Sequence, residues 1–182
     1  MFSKKNTGII ALIIFVAAAT RLLPHPPNMT PVSAMALFGG AYFGKKYLGI
    51  LIPFLALFLS NLVLDNVIYA QYYDGFVLFT PNTWAVYGSI ALIALLGMGL
   101  LKKVTFFNVL IGALSATAIF FLITNMGSWL ANPMYTKDFN GLMQSYVAGL
   151  PFLRNSLIGN LAYSGALFGI YHFATQKEIK IA

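Results

Sequence analysis

The chain has 182 residues, of which 59% are hydrophobic and 8% are charged, and its formal net charge is +7. Soluble domains carry about 25% charged residues, so this composition excludes a disordered chain and argues strongly against an ordinary water-soluble domain. The basic residues form separated pairs at the ends of apolar runs, which argues against nucleic acid and favours contact with lipid headgroups.

The first apolar segment has two interpretations. Lys4 and Lys5, followed by an apolar run and the small residues 17–19, resemble a secretory signal peptide. Because the apolar pattern continues in further segments, the simpler prediction is a first membrane span over about residues 7–23, with Arg21 reaching the interface. Prolines at 24, 26 and 27 stop this helix.

The second predicted span, about residues 31–44, is short. Thr30-Pro31 has the form of an N-cap followed by a proline in the first helical position. At about 1.5 Å per residue the helix is about 20 Å long, against a hydrocarbon core of about 30 Å. It must therefore be tilted, extended at one end or buried inside a bundle. Small residues at a spacing of four predict a docking face for a neighbouring helix or a partner protein: Ala36, Gly40 and Gly44.

The rest of the chain predicts four more spans, at about residues 47–65, 81–101, 104–130 and 151–175. Thr80-Pro81 repeats the capping pattern at the start of the predicted span at about residues 81–101. Residues 136–150 carry apolar side chains on one face and end at Gly149-Leu150-Pro151, which predicts an interfacial amphipathic helix or a lid. The predicted fold is all-α: one integral membrane domain over 1–182, a six-transmembrane-helix bundle with an outer amphipathic helix between helices 5 and 6.

The basic residues predict the topology. With the N-terminus inside, eight fall on one side: Lys4, Lys5, Lys45, Lys46, Lys102, Lys103, Lys177 and Lys180. Three fall on the other: Arg21, Lys137 and Arg154. By the positive-inside rule, both termini are cytoplasmic, and the long, aromatic connections face outward.

Polar side chains at the predicted outer helix ends form a candidate binding site, because polar groups in lipid face the bundle interior or a cavity. The predicted substrate-binding residues are Arg21, Asn28, Asp65, Asn125, Trp129, Arg154 and Asn155. Arg154 would neutralise an anionic group, the asparagines would read polar edges, and Trp129 would stack on a ring. Alternatively, the two arginines reach the interface or pair with Asp65, and Trp129 belongs to an interfacial belt.

Catalysis finds little support in the sequence. No histidine or carboxylate pair has metal-ligand spacing, no phosphate-binding loop is present, and cysteine is absent. Ser164 and His172 are eight positions apart on one predicted helix, about 12 Å, which is too far for a nucleophile and its base. We therefore expect no enzyme activity, no catalytic or metal site and no cofactor; a lipid-acting enzyme would need an acid/base pair that the sequence does not offer.

Four stretches carry a family resemblance: Arg21-Leu-Leu-Pro-His-Pro-Pro-Asn-Met-Thr-Pro31, Ala36-Leu-Phe-Gly-Gly-Ala-Tyr-Phe43, Thr124-Asn-Met-Gly-Ser-Trp129 and Pro151-Phe-Leu-Arg-Asn-Ser-Leu157. Together they resemble a largely uncharacterised family of small multi-pass membrane proteins that is common in Bacteroidetes. That family is similar to the S components of energy-coupling factor (ECF) vitamin transporters, which have six helices and both ends inside. S components bind a vitamin or a metal ion near the outer face and dock on a membrane scaffold driven by two ATPases.

The resemblance implies a substrate-binding subunit of the bacterial inner membrane for uptake of a small vitamin-like solute. Its expected partners are that solute, the lipid bilayer and an ECF-type scaffold with ATPase subunits. The Ala-x-x-x-Ala docking pattern of S components is not present on helix 1, where Thr7 and Ala11 give a single small-residue step. The stripe on helix 2 is the substitute docking face. The alternative function is a non-catalytic accessory or scaffold subunit of a larger membrane complex.

Overall fold

A computed structural model describes the backbone of residues 4–179 and the side chains of residues 7–175. The secondary structure of this part is helical, which confirms the all-α prediction. The six helices are α1 (Lys4–Ala19), α2 (Val32–Tyr42), α3 (Lys46–Val63), α4 (Thr83–Leu100), α5 (Phe106–Ala131) and α6 (Phe139–Ile179). A 3-10 turn, Thr20–Leu22, extends α1, and a π-helical turn, Leu64–Ile68, extends α3. The side chains of Lys4, Lys5 and Lys177, and the whole of Lys180, lie outside the described residues.

Three helical segments are long and apolar enough to cross a bilayer: Lys46–Ile68, Thr83–Leu100 and Phe106–Ala131. The segments Thr7–Leu22 and Val32–Tyr42 are apolar but shorter. On α3 the side chains of Leu51, Leu55 and Leu59 follow a spacing of four and are about half exposed. An apolar exposed face on an apolar helix is typical of contact with lipid, which indicates a membrane protein.

The helix α2 forms the centre of the bundle. It has 11 residues, every residue from Val32 to Gly40 is buried, and it contacts each of the other five helices. The ring of Phe38 packs edge-to-face on two rings of α6, Phe168 and Tyr171, with centroids 5.2 and 5.7 Å away. The short second helix was predicted to be tilted, extended at one end or buried inside a bundle, and the structure shows the third arrangement.

Glycines allow α2 to approach α4 closely. A Cβ atom on Gly40 would collide with the carbonyl oxygen of Ala94, and a Cβ on Gly97 would lie 2.5 Å from the carbonyl oxygen of Leu37. This contact matches the neighbouring-helix alternative for the predicted docking face. Ala36 and Gly40 are buried among the protein's own helices, while Gly44 is exposed beyond the end of α2. Docking of a partner protein on this stripe stays a prediction.

The helix α6 differs from the expected pair of an interfacial helix and a sixth span. It is one continuous helix of 41 residues, with Pro151 in its interior. Its first turns are held to α5 by two hydrogen bonds: Ser145 Oγ donates to the Asn125 carbonyl (3.2 Å), and the Tyr146 hydroxyl donates to the Leu122 carbonyl (3.0 Å). The helix continues through Pro151, although a proline removes one backbone hydrogen bond.

The connections differ between the two ends of the bundle. The long-loop end consists of residues 23–31, 69–82 and 132–138, and the short-loop end consists of residues 43–45 and 101–105. Neither predicted Thr-Pro cap is used as expected, because α2 begins after Pro31 and α4 after Asn82. Thr30 makes no cap, and the amide of Asn82 instead reaches across to α5.

Candidate functional site

A cavity of about 380 Å³ lies at the long-loop end, between α4, α5, α6 and the loop 23–31. This volume falls within the range of small-molecule sites, about 300–1,000 Å³. The polar part of the lining consists of Asn28, Asn82, Thr124, Asn125, Ser128, Tyr135, Ser145 and Ser156. Aromatic rings form much of the rest: Phe120, Phe121 and Phe152. No lining side chain is formally charged, and we call this space the polar cavity.

Asn82 joins α4 to α5 beside the polar cavity. Its Nδ2 donates to the Thr124 carbonyl and to Ser128 Oγ, both at 3.2 Å. Because a carbonyl can only accept, this contact fixes which amide atom is the nitrogen. The amide oxygen is buried without a hydrogen-bond partner among the described residues. Gly127 provides the room, since a Cβ there would collide with that oxygen.

Asn125 repeats the arrangement between α5 and α6. Its Nδ2 donates to the Phe121 carbonyl at 2.8 Å, and its amide lies against Gly149, where a Cβ would collide with it. Because the Phe121 carbonyl can only accept, the bonded amide atom is the nitrogen, and Oδ1 is the free acceptor of this side chain. The wall of the polar cavity therefore holds two asparagine amides, each seated over a glycine of the next helix.

Arg21 lies outside the polar cavity. Its Nη1 donates to Ser60 Oγ on α3, and the side chain lines a second cavity of about 280 Å³. Asp65, on the π-helical turn, is close enough to interact electrostatically with Arg21, but the two make no ion pair among the described residues. The alternative prediction of an Arg21–Asp65 ion pair is therefore wrong for this structure.

Trp129 fixes the loop 132–138. Its indole N–H donates to the Thr136 carbonyl at 2.7 Å, and Lys137 Nζ donates to the carbonyls of Trp129 and Asn132. The loop therefore closes over the end of α5, and its own aromatic residue, Tyr135, lines the polar cavity.

Asp138 connects the same loop to α6. Its Oδ1 accepts from the Gly141 backbone N–H and from the Thr136 hydroxyl, both at 2.8 Å. These two hydrogen bonds hold the pKa of Asp138 below its usual range, because they favour the charged form.

The last two predicted site residues lie on α6. Asn155 Nδ2 donates to the Pro27 carbonyl at 3.1 Å, which ties the loop 23–31 to this helix. Arg154 is exposed and lines neither cavity.

The structure thus brings Asn28 and Asn125 together in the polar cavity, while five predicted site residues lie outside it: Arg21, Asp65, Trp129, Arg154 and Asn155. Sequence reasoning missed Asn82, which follows Pro81 at a helix start and has the appearance of a capping residue. It also missed Ser145, which lies within the segment 136–150 that was predicted as an interfacial helix. Gly127 and Gly149 were the available signal, since glycine within an apolar helix marks a close approach.

The polar cavity has an uncharged lining. It offers amide oxygens, hydroxyl groups and aromatic faces, and its lining contains no histidine or carboxylate to move a proton. Across the part of the chain that the structure describes, no three histidine, aspartate or glutamate side chains are grouped closely enough to hold a metal ion. The molecule is therefore a helical protein with three helices long and apolar enough to span a membrane and an uncharged polar cavity at one end.

The chain belongs to DUF6580, a family of unknown function whose sequence profile matches residues 2–181. No curated protein and no solved structure matches it. The family match agrees with the predicted membership of an uncharacterised family and does not test the likeness to S components, which stays a prediction.

Proposed function

We propose that the protein is a substrate-binding membrane subunit, similar to an ECF S component, which captures a small uncharged solute in the polar cavity for uptake. In this proposal six helices cross the bacterial inner membrane, and both termini are cytoplasmic. The exposed lysines of the short-loop end, Lys45, Lys46, Lys102 and Lys103, support a cytoplasmic position for that end. The observation that carries the proposal is a cavity of about 380 Å³ with an uncharged polar lining.

The lining selects the chemistry of the solute. An ionised ligand would lose its hydration shell and find no opposite charge in the cavity, which is costly in a low-dielectric site. A neutral ligand with N–H or O–H groups can donate to an asparagine oxygen, and Phe120, Phe121 and Phe152 offer apolar faces to a ring. The proposed ligand is therefore a neutral, ring-bearing, vitamin-like or nucleobase-like compound.

Uptake against a gradient requires an energy source outside this chain, because the sequence has no ATP-binding loop. An ECF-type scaffold with ATPase subunits is the proposed partner. Isolation in a fixed-stoichiometry complex with no transport module, and without a bound solute, would instead support the accessory role.

Pairs of compounds that differ by one carboxylate test the proposal. Thermal stability of the purified protein is measured with nicotinamide against nicotinate, and with uracil against orotate. We expect stabilisation by a neutral member of a pair and none by its charged counterpart. Equal stabilisation by both members would contradict selection by an uncharged cavity.

A cavity-filling variant tests whether the stabilising ligand binds in the polar cavity. Ser156 lines the polar cavity and makes no hydrogen bond within the described residues, so Ser156→Leu fills the space without breaking a bond. The matched control, Ala118→Leu, adds the same side chain on an exposed position of α5. We expect Ser156→Leu to abolish stabilisation and Ala118→Leu to preserve it; stabilisation that survives Ser156→Leu would place the ligand elsewhere.

A further inference from the structure

The second cavity at the long-loop end is built around a cation. It has a volume of about 280 Å³, and its polar lining consists of Arg21, His25 and Tyr69. We propose that this cavity binds one phosphate group, carried either by an anionic phospholipid or by a small soluble phosphate. The proposal is independent of the solute in the polar cavity.

The guanidinium of Arg21 is only partly used by the protein. Ser60 Oγ donates to the Leu57 carbonyl at 2.9 Å, which leaves its lone pairs to accept from Arg21 Nη1. Arg21 Nε is buried and has no hydrogen-bond partner among the described residues. Nε and Nη2 form one edge of the planar fork that the protein leaves without an acceptor; Nε is out of reach of water, so Nη2 is the donor that an entering phosphate group meets first.

Asp65, the carboxylate that interacts electrostatically with Arg21, does not complete the site. Asp65 interacts electrostatically with Arg21 and so reduces the cost of its charge in the empty state, but it makes no ion pair with it. An arginine that is largely removed from water with an unused donor edge is unfavourable unless an acceptor arrives. No carboxylate lines the cavity, so an entering anion meets donors there.

One further side chain can donate to the same group, because Tyr69 contributes a hydroxyl group to the lining. His25 also lines the cavity, and its Nδ1 lies 3.1 Å from the Pro26 carbonyl. The remaining lining is apolar and includes Leu23, Leu64 and Ile68, which suits the glycerol and acyl part of a lipid.

The loop 23–31 separates this cavity from the polar cavity. His25 lines the cavity of Arg21, whereas Asn28, three residues further on, lines the polar cavity. Asn28 adopts a left-handed backbone conformation, with φ of 62°, at this turn. One short segment thus contributes to two cavities of different chemistry.

The experiment uses the full chain in nanodiscs of phosphatidylcholine with a minor share of phosphatidylglycerol. Native mass spectrometry counts the phosphatidylglycerol molecules that remain bound after release into detergent. A parallel measurement compares thermal stability in sodium phosphate with that in sodium chloride at equal ionic strength. The test variant is Arg21→Gln, and the control is Arg154→Gln, an exposed arginine outside both cavities.

We expect one tightly held phosphatidylglycerol, or a stabilisation specific to phosphate, and the arm that responds identifies the source. Arg21→Gln should weaken the response at least about ten-fold, the size expected for a lost hydrogen bond to a charged group, while Arg154→Gln leaves it unchanged. If Arg21→Gln does not fold, Tyr69→Phe serves as the substitute, and it should weaken binding several-fold. No response in either arm, or a response that these variants leave intact, would overturn the proposal.

Discussion

Glycine has a different role in the two halves of this bundle. Toward the short-loop end, Gly40 and Gly97 bring the backbones of α2 and α4 into direct contact. Toward the long-loop end, Gly127 and Gly149 instead make room for asparagine amides from the neighbouring helix. The comparison shows how small residues in lipid can produce either a closed apolar core or the wall of a polar cavity, depending on what fills the space.

We expect the two halves of the bundle to differ in role, one contributing mainly to folding stability and the other to ligand binding. In the half toward the short-loop end, the backbones of α2 and α4 leave no room for a Cβ on Gly40 or Gly97, whereas the long-loop half contains the polar cavity, the cavity of Arg21 and two buried polar atoms without a partner among the described residues, Arg21 Nε and Asn82 Oδ1. Substitutions in the first half should therefore affect folding, and substitutions in the second should affect binding more than folding.

The largest expected effect comes from Gly40→Ala. Its Cβ would meet the Ala94 backbone, which cannot move as a side chain can, so the two helices must separate. We expect a loss at the upper end of the range for overpacking, about 1–3 kcal/mol, measured by thermal unfolding in detergent. Gly88→Ala is the control, because Gly88 is exposed on α4 with nothing near its Cβ position. Gly88→Ala should be neutral or stabilising. Equal losses of stability in both variants would contradict the role of Gly40 in the close contact of α2 with α4.

Gly149→Ala should have a smaller effect on stability and a larger one on binding. Its Cβ would displace the Asn125 amide, a side chain that can rotate away at a cost we place at about 1 kcal/mol. Displacement would also break the hydrogen bond from Asn125 to the Phe121 carbonyl. Titration of any neutral solute that stabilises the wild type should show at least about ten-fold weaker binding. Unchanged affinity would show that Asn125 does not shape the site.

Asn160→Ala removes two inter-helix hydrogen bonds of a residue that lines neither cavity. Asn160 Nδ2 donates to the Ala113 carbonyl (2.7 Å) and to Thr117 Oγ1 (3.0 Å), and Thr117 keeps its own bond to Ala113 in the variant. Polar pairs between membrane helices contribute about 0.6 kcal/mol on average and up to about 1.7 kcal/mol, so we expect a loss in this range. Solute binding should not change, and a specific loss of binding at full stability would extend the site toward Asn160.

The smallest effect concerns the loop 132–138. Because the pKa of Asp138 is lowered in the folded protein, its contribution is present above the ordinary aspartate pKa and is lost as the pH falls through the lowered value. In a Trp84→Phe background, Trp129 fluorescence should therefore stay constant from neutral pH through the usual aspartate range, about pH 4, and change only below it. Asp138→Ala should give the acid-form signal already at neutral pH; a wild-type transition at the ordinary pKa would contradict the role of Asp138.

The sequence allowed the prediction of those features that depend on composition and periodicity. Long apolar runs predicted the three segments able to cross a bilayer, and clusters of prolines and polar residues placed the loops. The continuity of α6 was not predictable from these signals, because Pro151 normally ends a helix, and the contacts of α6 with α5, such as those of Ser145 and Tyr146, leave no signal in the sequence.

The candidate site was harder to predict, because it depends on which helices touch. Asn125 was predicted as a binding residue and lines the polar cavity, whereas Asn82 had the same appearance as an ordinary helix cap. Asn155 and Trp129 were recognised as polar or aromatic residues near the site, but they hold loops through backbone carbonyls rather than line the cavity. Hydrogen bonds to backbone groups of distant helices leave no periodic signal in a sequence.

The most direct test of solute capture is the content of the polar cavity in protein purified gently from its native membrane. Small molecules extracted from the wild type, Ser156→Leu and Ala118→Leu are compared by mass spectrometry. We expect a neutral ring compound in the wild type and in Ala118→Leu, and its loss from Ser156→Leu. A charged compound, or a neutral one retained equally by all three proteins, would contradict capture in the polar cavity.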